Sequence, residues 1–248
     1  MDMQLKQEFL AKWKKYFGQA ELPIAFYYTH QVQDADFQPP AKGRSCIICE
    51  LARVRNGVNL AYGKEAIACS GARRYLGYTD KMRPDFEYFL SCGIENVMEG
   101  ERYIRTPEMV LEIMKNQKTL SRKGEYIVFK RWDKLTEADQ PEVIIFFASA
   151  DTLSGLFTLA NYDQTEPNVT FTPFGSGCSS IVHHPYLEID AERPRAVIGM
   201  FDPSARVCVP ADRLSFALPY KRFVQMIGYM DESFLTTPAW SKVRQRMA

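Results

Sequence analysis

The sequence predicts an α+β fold, a single domain of two pseudo-repeated halves around a mixed β-sheet with flanking helices. The unbroken apolar run at 143–148 has strand length and no polar position, which is typical of a strand buried on both faces of a sheet. Apolar residues at helical spacing in residues 2–18 indicate a helix that covers such a sheet. The order strand, helix, short strand and small-residue cysteine segment occurs twice, so we expect related halves at 20–130 and 140–230.

Composition and charge limit the classes of function. The chain has 248 residues, of which 46% are hydrophobic and 25% charged, and this is enough apolar material for a core. A formal net charge of +1 provides no bulk field toward nucleic acid or membranes, so we expect a small-molecule or protein partner. The N-terminus shows no apolar signal segment, and the longest apolar run is too short for a bilayer. These features predict a cytoplasmic protein whose six cysteines are reduced thiols.

Local signals mark the elements of the first half. Glycines end the predicted helices at 2–18 and 46–56. A third helix has Thr106 as its N-cap and Pro107 as its first residue, and it fades near Leu120. Its inner side is predicted to consist of Met109, Val110, Ile113, Met114 and Gln117. The other elements, in chain order, are a strand at 22–28, a strand at 58–62, an irregular region at 80–100 and a strand at 126–130.

The second half has fewer boundary signals. After the strand at 143–148, the predicted elements are a helix at 153–162, a strand at 169–171, a tight turn at 175–178, a strand at 195–200 and a helix from Pro219. From Thr236 onward we expect a loosely attached tail with Trp240 as its one anchor. If the halves are related, Cys69 and Cys178 occupy equivalent places and face each other across the sheet.

The densest reactive chemistry lies in residues 46–74. Cys46-x-x-Cys49 at a helix start would place two thiols on one face, as in a dithiol couple or half of a metal site. The alternative is a chance pair, because no second C-x-x-C exists to complete a zinc ribbon. Cys69 has small neighbours that would let a ligand approach, and Arg73 with Arg74 would lower its pKa. Its alternative is a tight turn that uses cysteine as a small core residue.

Residues 175–180 are small and polar, so their amides and hydroxyls are candidates for an anion-binding nest. The alternative is a plain turn, since neither a Walker loop nor a dinucleotide fingerprint is present. His183 and His184 are candidate bases for a cysteine nucleophile, with a surface pair as the alternative. The candidate ligand-binding residues are Arg73, Arg74, Ser176, Gly177, Ser179 and Arg206, the last as a hook for an anion.

Dispersed cysteines also form a candidate metal site. Thiolates suit zinc or an iron–sulfur cluster, and both are candidate cofactors here. Cys92 and Cys208 are weaker candidates, and Cys208 between two valines is predicted to be packing. The candidate ligands are Cys46, Cys49, Cys69 and Cys178.

These motifs together resemble the DUF169 family, a domain of unknown function. The resemblance covers nearly the whole chain, and it implies a shared fold without a settled activity. It rests on Cys46/Cys49 with Ala52 and Gly57, Cys69 with Leu76-Gly77, Phe129 ahead of the strand at 143–148, Gly177-Cys178, and a closing segment of Arg206 with residues 212–219.

Three hypotheses for function follow. The first is a binding protein that holds a small anionic ligand, a metal or an iron–sulfur cofactor in a cysteine-lined cleft. The second is a thiol-dependent enzyme with Cys69 or Cys178 as nucleophile and His183 or His184 as base. The third is a partner-binding protein whose cysteines are structural. The sequence leaves the oligomeric state open.

Overall fold

An eight-stranded mixed sheet runs through the part of the chain that the computed structural model describes, residues 1–43 and 45–247. A separate two-stranded hairpin is formed by β4 and β5. In chain order the strands are β1 (Ile24–Thr29), β2 (Asp36–Phe37), β3 (Leu60–Tyr62), β4 (Gly93–Ile94), β5 (Met98–Glu99), β6 (Tyr126–Arg131), β7 (Val143–Ala148), β8 (Thr170–Phe171), β9 (Ala196–Gly199) and β10 (Leu214–Pro219).

Helices cover both faces of this sheet. They are α1 (Met3–Phe17), α2 (Ile47–Arg55), α3 (Ser70–Tyr75), α4 (Phe86–Leu90), α5 (Pro107–Asn116), α6 (Ala150–Asn161), α7 (His184–Leu187), α8 (Pro203–Arg206), α9 (Tyr220–Tyr229) and α10 (Pro238–Gln245). A π-helical turn, Ser179–His183, runs directly into α7. Short 3₁₀ turns occupy Lys64–Ala66, Trp132–Lys134 and Phe234–Thr236. None of the described helices combines the length and apolar composition of a membrane span.

Strand β7 lies at the centre of the sheet, as its apolar run predicts. It pairs antiparallel with β1 on one side and β10 on the other, and all six of its residues are buried. Val143, Ile145 and Phe147 face one hydrophobic core, whereas Ile144 and Phe146 face a second core on the opposite side. Because successive side chains of a β-strand point to opposite faces of the sheet, this one apolar run contributes to both cores.

The two halves of the sheet have the same topology, which confirms the predicted pseudo-repeat. The sheet order is β2-β3-β6-β1-β7-β10-β9-β8. From the centre outward, each half thus presents its first, fourth, third and second strands. The second and third strands pair parallel in both halves, and the other neighbours pair antiparallel. Because β1 and β7 are themselves antiparallel, an approximate two-fold axis passes between them.

This topology corrects the predicted equivalence of Cys69 and Cys178. Cys46 precedes α2, the helix between the second and third strands of the first half. Cys178 precedes the π-helical turn and α7, which connect the same two strands of the second half. Cys69 instead caps α3, after the third strand, and its equivalent is Asp202, the N-cap of α8.

Aromatic packing holds one helical layer on the sheet. Phe9 and Trp13 of α1 contact Phe146 of β7, with ring centroids 6.5 and 5.1 Å apart. Phe223 of α9 closes the cluster, 4.9 Å from Phe9. Full burial of such a side chain stabilises the fold by about 1.5–3 kcal/mol. Helices α6 and α10 complete this layer, and α2, α3, α7 and α8 cover the opposite face.

Several elements differ from the sequence predictions. The segment after Thr236 contains a packed helix, α10, so the prediction of a loosely attached tail is wrong. Its residue Trp240 is only 4% exposed, and the Trp240 indole N–H donates a hydrogen bond to the Tyr16 carbonyl at 2.8 Å. The turn expected at 175–178 begins a helix, and the region expected to be irregular at 80–100 contains α4 and the β4–β5 hairpin. Strand β10 was not predicted.

Candidate functional site

A cavity of about 560 Å³ opens on the face of the sheet that α2, α3, α7 and α8 cover. Its walls are the starts of α2 and α3, the inner faces of α4 and α5, residues 174–178 and the start of α8. Most of the lining is apolar, and its apolar residues include Ile48, Phe86, Phe89, Val110, Ile113 and Met114. A cavity of this size and character is typical of a small-molecule site.

Helix α5 supplies the longest apolar wall. Thr106 caps it by accepting a hydrogen bond from the Met109 amide at 3.4 Å, as its sequence predicts. Residues three and four apart share one helix face, and here that face turns to the cavity. Four of the five residues predicted for the inner side line it: Val110, Ile113, Met114 and Gln117. Ile113 is consequently 47% exposed, although it belongs to the apolar side of an amphipathic helix.

Three thiols and a carboxylate converge on the cavity from the starts of four helical segments. Cys46, Cys69, Cys178 and Asp202 all line it. They form the two equivalent pairs that the two-fold axis relates, Cys46 with Cys178 and Cys69 with Asp202. Cys69 is exposed, Cys46 is half-buried and Cys178 is buried. Three of the four predicted metal ligands therefore share one opening, and Asp202 joins them although the sequence analysis did not select it.

The nest predicted at 175–180 already holds a carboxylate of the protein itself. The Gly177 amide donates to Asp202 Oδ2 at 3.1 Å, while the Ser204 amide and hydroxyl donate to Oδ1 at 3.0 and 2.7 Å. Ser176 caps the helix by accepting from the Ser179 amide at 3.3 Å. Ser179 is buried, and its hydroxyl donates a hydrogen bond to the Ser176 carbonyl. The anion-binding groups expected here thus cap helices within the chain.

Gly177 is required at this crossing because the helix starts approach one another closely. A Cβ at this position would lie 2.8 Å from the Cβ of Ala205 in α8 and 3.3 Å from Cγ1 of Ile48 in α2. A contact below 3.0 Å forces a shift of the backbone that carries Ala205. The glycine therefore holds the thiol-bearing helix starts together at the cavity floor.

Two thiols of the cavity, those of Cys46 and Cys178, are neutral at neutral pH because their pKa values are raised. Burial raises the pKa of Cys46, and the amides of Ile48 and Cys49 oppose it only in part. Burial raises the pKa of Cys178 well above its ordinary value, and the neighbouring Cys69 and Cys46 raise it further. A neutral thiol is a poor nucleophile. Cys178 therefore lacks the activation that a thiol enzyme requires.

His183 lies outside the lining of the cavity. It is buried, its Nε2 is 2.7 Å from the Lys118 carbonyl, and burial lowers its pKa. Its ring packs edge-on against Tyr75, with centroids 5.5 Å apart. His184 is partly buried and packs against His183 and Phe171. The predicted pairing of a cysteine nucleophile with one of these histidines has no geometric support among the described residues.

The arginines selected from the sequence bind backbone carbonyls instead of lining the cavity. Arg73 Nε donates to the Ile67 carbonyl at 2.6 Å, and Arg74 donates to the Asp80 carbonyl. Arg206 donates to the carbonyls of Ala211 and Arg213. The Arg73 bond ties α3 to the segment before it, and the bonds of Arg74 and Arg206 shape the turns after α3 and α8.

Among the residues that the structure describes, the cationic group that lines the cavity is Arg83, which lies in the stretch predicted to be irregular. Its guanidinium lies over the Phe89 ring at 4.7 Å from the centroid, and Nη2 contacts Met98 Sδ at 3.1 Å. Among the described residues it forms no ion pair, although Glu101 also lines the cavity. No local motif in the sequence distinguishes Arg83 from its neighbours, so only the fold identifies it.

A disulfide joins Cys49 to Cys208 beside the cavity, which corrects two predictions. The sequence predicts that all six cysteines are reduced and that Cys208 only packs in the core, whereas Cys49 and Cys208 are bonded to each other. The two residues are 159 positions apart in the chain, with their Cα atoms 4.5 Å apart. The Sγ atom of Cys46 completes a trio in which all three sulfurs lie within 4.8 Å of one another. Cys92 is exposed and lies outside both groups.

Comparison with known proteins identifies the family of this chain. No curated protein and no solved structure matches the chain. The model of one family, DUF169, described as "Uncharacterised ArCR", matches residues 13–228 and so includes the sheet, the cavity and the sulfur trio. The resemblance seen in the sequence is therefore confirmed, and the chain belongs to the DUF169 family.

Proposed function

We propose that this protein binds a small, largely apolar molecule that carries an anionic group. The observation that carries the proposal is the α5 wall, where Val110, Ile113 and Met114 turn toward an open cavity of about 560 Å³. An apolar helix face left open to a cavity gains free energy when an apolar ligand covers it. This supports the binding hypothesis over one in which every cysteine is packed in the core, since Cys69 and Cys46 are accessible.

Arg83 supports an anionic group on the ligand. The guanidinium is held by stacking on Phe89 and is not neutralised by a carboxylate among the described residues. Arginine offers a planar fork of donors that matches a carboxylate or phosphate. This role was expected for Arg73, Arg74 and Arg206, and we transfer it to Arg83 because those three are engaged with backbone carbonyls.

The apolar part of the proposal is tested by blocking the cavity. The probe is anilinonaphthalene sulfonate, an aromatic anion whose fluorescence rises in apolar sites. Ile113→Trp fills the cavity from α5 and is expected to weaken probe binding by about tenfold, equivalent to about 1.4 kcal/mol. Leu111→Trp is the matched control, because Leu111 lies on the same helix at 50% exposure and does not line the cavity. Equal binding by both variants would refute the site.

The anionic part is tested by comparing a charged and a neutral ligand. Dodecanoate and dodecanol differ at the head group and compete with the probe for the same apolar surface. Arg83→Gln is expected to weaken dodecanoate about tenfold, the loss of one charge-assisted hydrogen bond, and to leave dodecanol unchanged. Arg105→Gln, an exposed arginine outside the lining, is the control. If Arg83→Gln affects both ligands equally, the guanidinium does not select an anion.

A further inference from the structure

The trio of Cys46, Cys49 and Cys208 contains one sulfur more than a disulfide needs. Cys49 and Cys208 are bonded to each other, and Cys46 is a free thiol within 4.8 Å of both sulfurs. Cys46 caps α2, and Cys49 lies one turn further along the same helix. The helix that carries Cys49 therefore also places the third sulfur beside the disulfide.

The spacing of the sulfurs fits a single metal ion better than a cluster. Zinc–thiolate bonds of about 2.3 Å in a tetrahedron place the sulfurs about 3.8 Å apart. The trio lies within 4.8 Å, so small side-chain rotations reach that distance. An iron–sulfur cluster distributes its thiolates over several iron atoms and needs them further apart. Of the two cofactors considered from the sequence, the trio favours the mononuclear one.

Solvent reaches the trio, so an ion has a path to it. Cys49 is exposed, and Cys46 and Cys208 are half-buried. The disulfide leaves one thiol for an ion, whereas its reduction leaves three. The predicted ligand set of Cys46, Cys49, Cys69 and Cys178 changes accordingly, because Cys208 replaces Cys69 and Cys178.

We propose that reduction of the Cys49–Cys208 disulfide turns Cys46, Cys49 and Cys208 into a three-thiolate site for one thiophilic divalent ion of the zinc class. A phosphine or dithiol reductant supplies the two electrons that break the S–S bond, and solvent supplies two protons to the separated sulfurs. Ion binding then displaces the thiol protons. Three protein ligands leave the fourth position of a tetrahedral ion to water. Of the three residues only Cys46 lines the cavity; Cys49 and Cys208, whose disulfide controls the site, lie outside its lining, so ion binding and ligand binding are tested separately.

The test is a cobalt titration of the full chain in two redox states. Protein reduced anaerobically with a phosphine and then freed of it is expected to bind one equivalent of Co²⁺, with intense thiolate-to-cobalt charge-transfer absorption that Zn²⁺ abolishes. Protein with the disulfide intact is expected to show no such absorption. This comparison needs no substitution, so it decides the matter even if a variant fails to fold. Equal absorption in the two states, or none in either, would overturn the proposal.

Variants identify the ligands. Cys49→Ser and Cys208→Ser are expected to weaken cobalt binding by at least the roughly 100-fold that loss of an outer-shell partner can cost. Cys92→Ser is the control, because Cys92 is exposed and outside the trio. If Cys69→Ser or Cys178→Ser loses the absorption while Cys208→Ser retains it, the ion is bound by Cys69 or Cys178 and this assignment is refuted. The probe is the ion alone, so the outcome is separate from that of the fluorescence titrations.

Discussion

Substitution of Asp139 by asparagine tests the one fully buried ion pair in the described part of the chain. Lys130 in β6 is completely buried, and its Nζ lies 2.9 Å from Asp139 Oδ1. The same carboxylate accepts hydrogen bonds from Tyr27 and from the amide and hydroxyl of Thr136 at 2.7 and 3.0 Å. Asparagine keeps the shape of the side chain and removes its charge. The ammonium of Lys130 then keeps only Asp34, 3.6 Å away with a side chain that is 67% exposed.

A buried charge that loses its partner costs about 3–5 kcal/mol. This is a large part of a total stability of about 5–15 kcal/mol. At about 2–4 °C per kcal/mol for a chain of this size, Tm should fall by roughly 6–20 °C. Urea unfolding followed by circular dichroism measures the free energy directly. Asp34→Asn is the matched control, and loss of that exposed partner should cost no more than about 1 kcal/mol.

The pH dependence provides a second measurement on the same variant. Burial opposes ionisation of Asp139, but the hydrogen bonds from Tyr27, Thr136 and Lys130 outweigh it and hold the pKa of this carboxyl below its ordinary value. Because the folded pKa lies below the unfolded one of about 3.9, the stabilisation is complete above that pH and is lost as the pH falls through the folded pKa. The gap between wild type and Asp139→Asn should therefore narrow in acid. Equal losses in Asp139→Asn and Asp34→Asn at neutral pH would refute the reasoning.

Three further predictions concern the thiols, the C-terminal helix and the histidines. Anilinonaphthalene sulfonate should slow maleimide labelling of Cys69, which lines the cavity, and leave Cys92 unaffected; equal protection of both would count against the cavity site. Trp240→Ala should lower the free energy of unfolding, measured in urea, by about 3–5 kcal/mol. A loss below about 1 kcal/mol would indicate that the C-terminal segment is loosely attached after all. Burial lowers the pKa of His184 to about 4, so stability should fall as the pH drops from about 6.5 toward that value. His184→Gln should flatten this slope in Tm, whereas replacement of the exposed His30 should not.

Elements with signals inside their own segment are predictable from this sequence. The run at 143–148 identifies the central strand, and Thr106 with Pro107 fixes the start of α5 within one residue. The same kind of signal, Thr237 before Pro238, marks α10, but the prediction of a loose tail overlooked it. Repetition along the chain also indicates the two halves, because each half must build the same set of strands.

Features that depend on distant parts of the chain could not be predicted. The partner of Cys49 lies 159 residues away, and nothing beside Cys208 distinguishes it from a packed cysteine. The equivalence of Cys46 with Cys178 depends on strand order, which becomes visible only when β2 and β8 are placed at the edges. Arg83 has no motif, and it joins the cavity through its contacts with Phe89 of α4 and Met98 of β5.

Most of the cavity wall comes from an insertion between two neighbouring strands. β1 and β6 pair directly, with Ile24 opposite Arg131, and the chain between them contains α2, α3, α4 and α5. Within the sheet this insertion is attached to β6 through the three residues of β3. The Cys49–Cys208 disulfide ties α2 to the second half, so α4 and α5 are the part of the insertion that can open as a separate cooperative unit while β1, β7 and β10 stay paired. Ligand entry by this route requires no disruption of the sheet, and amide hydrogens of α5 should exchange before those at 143–148.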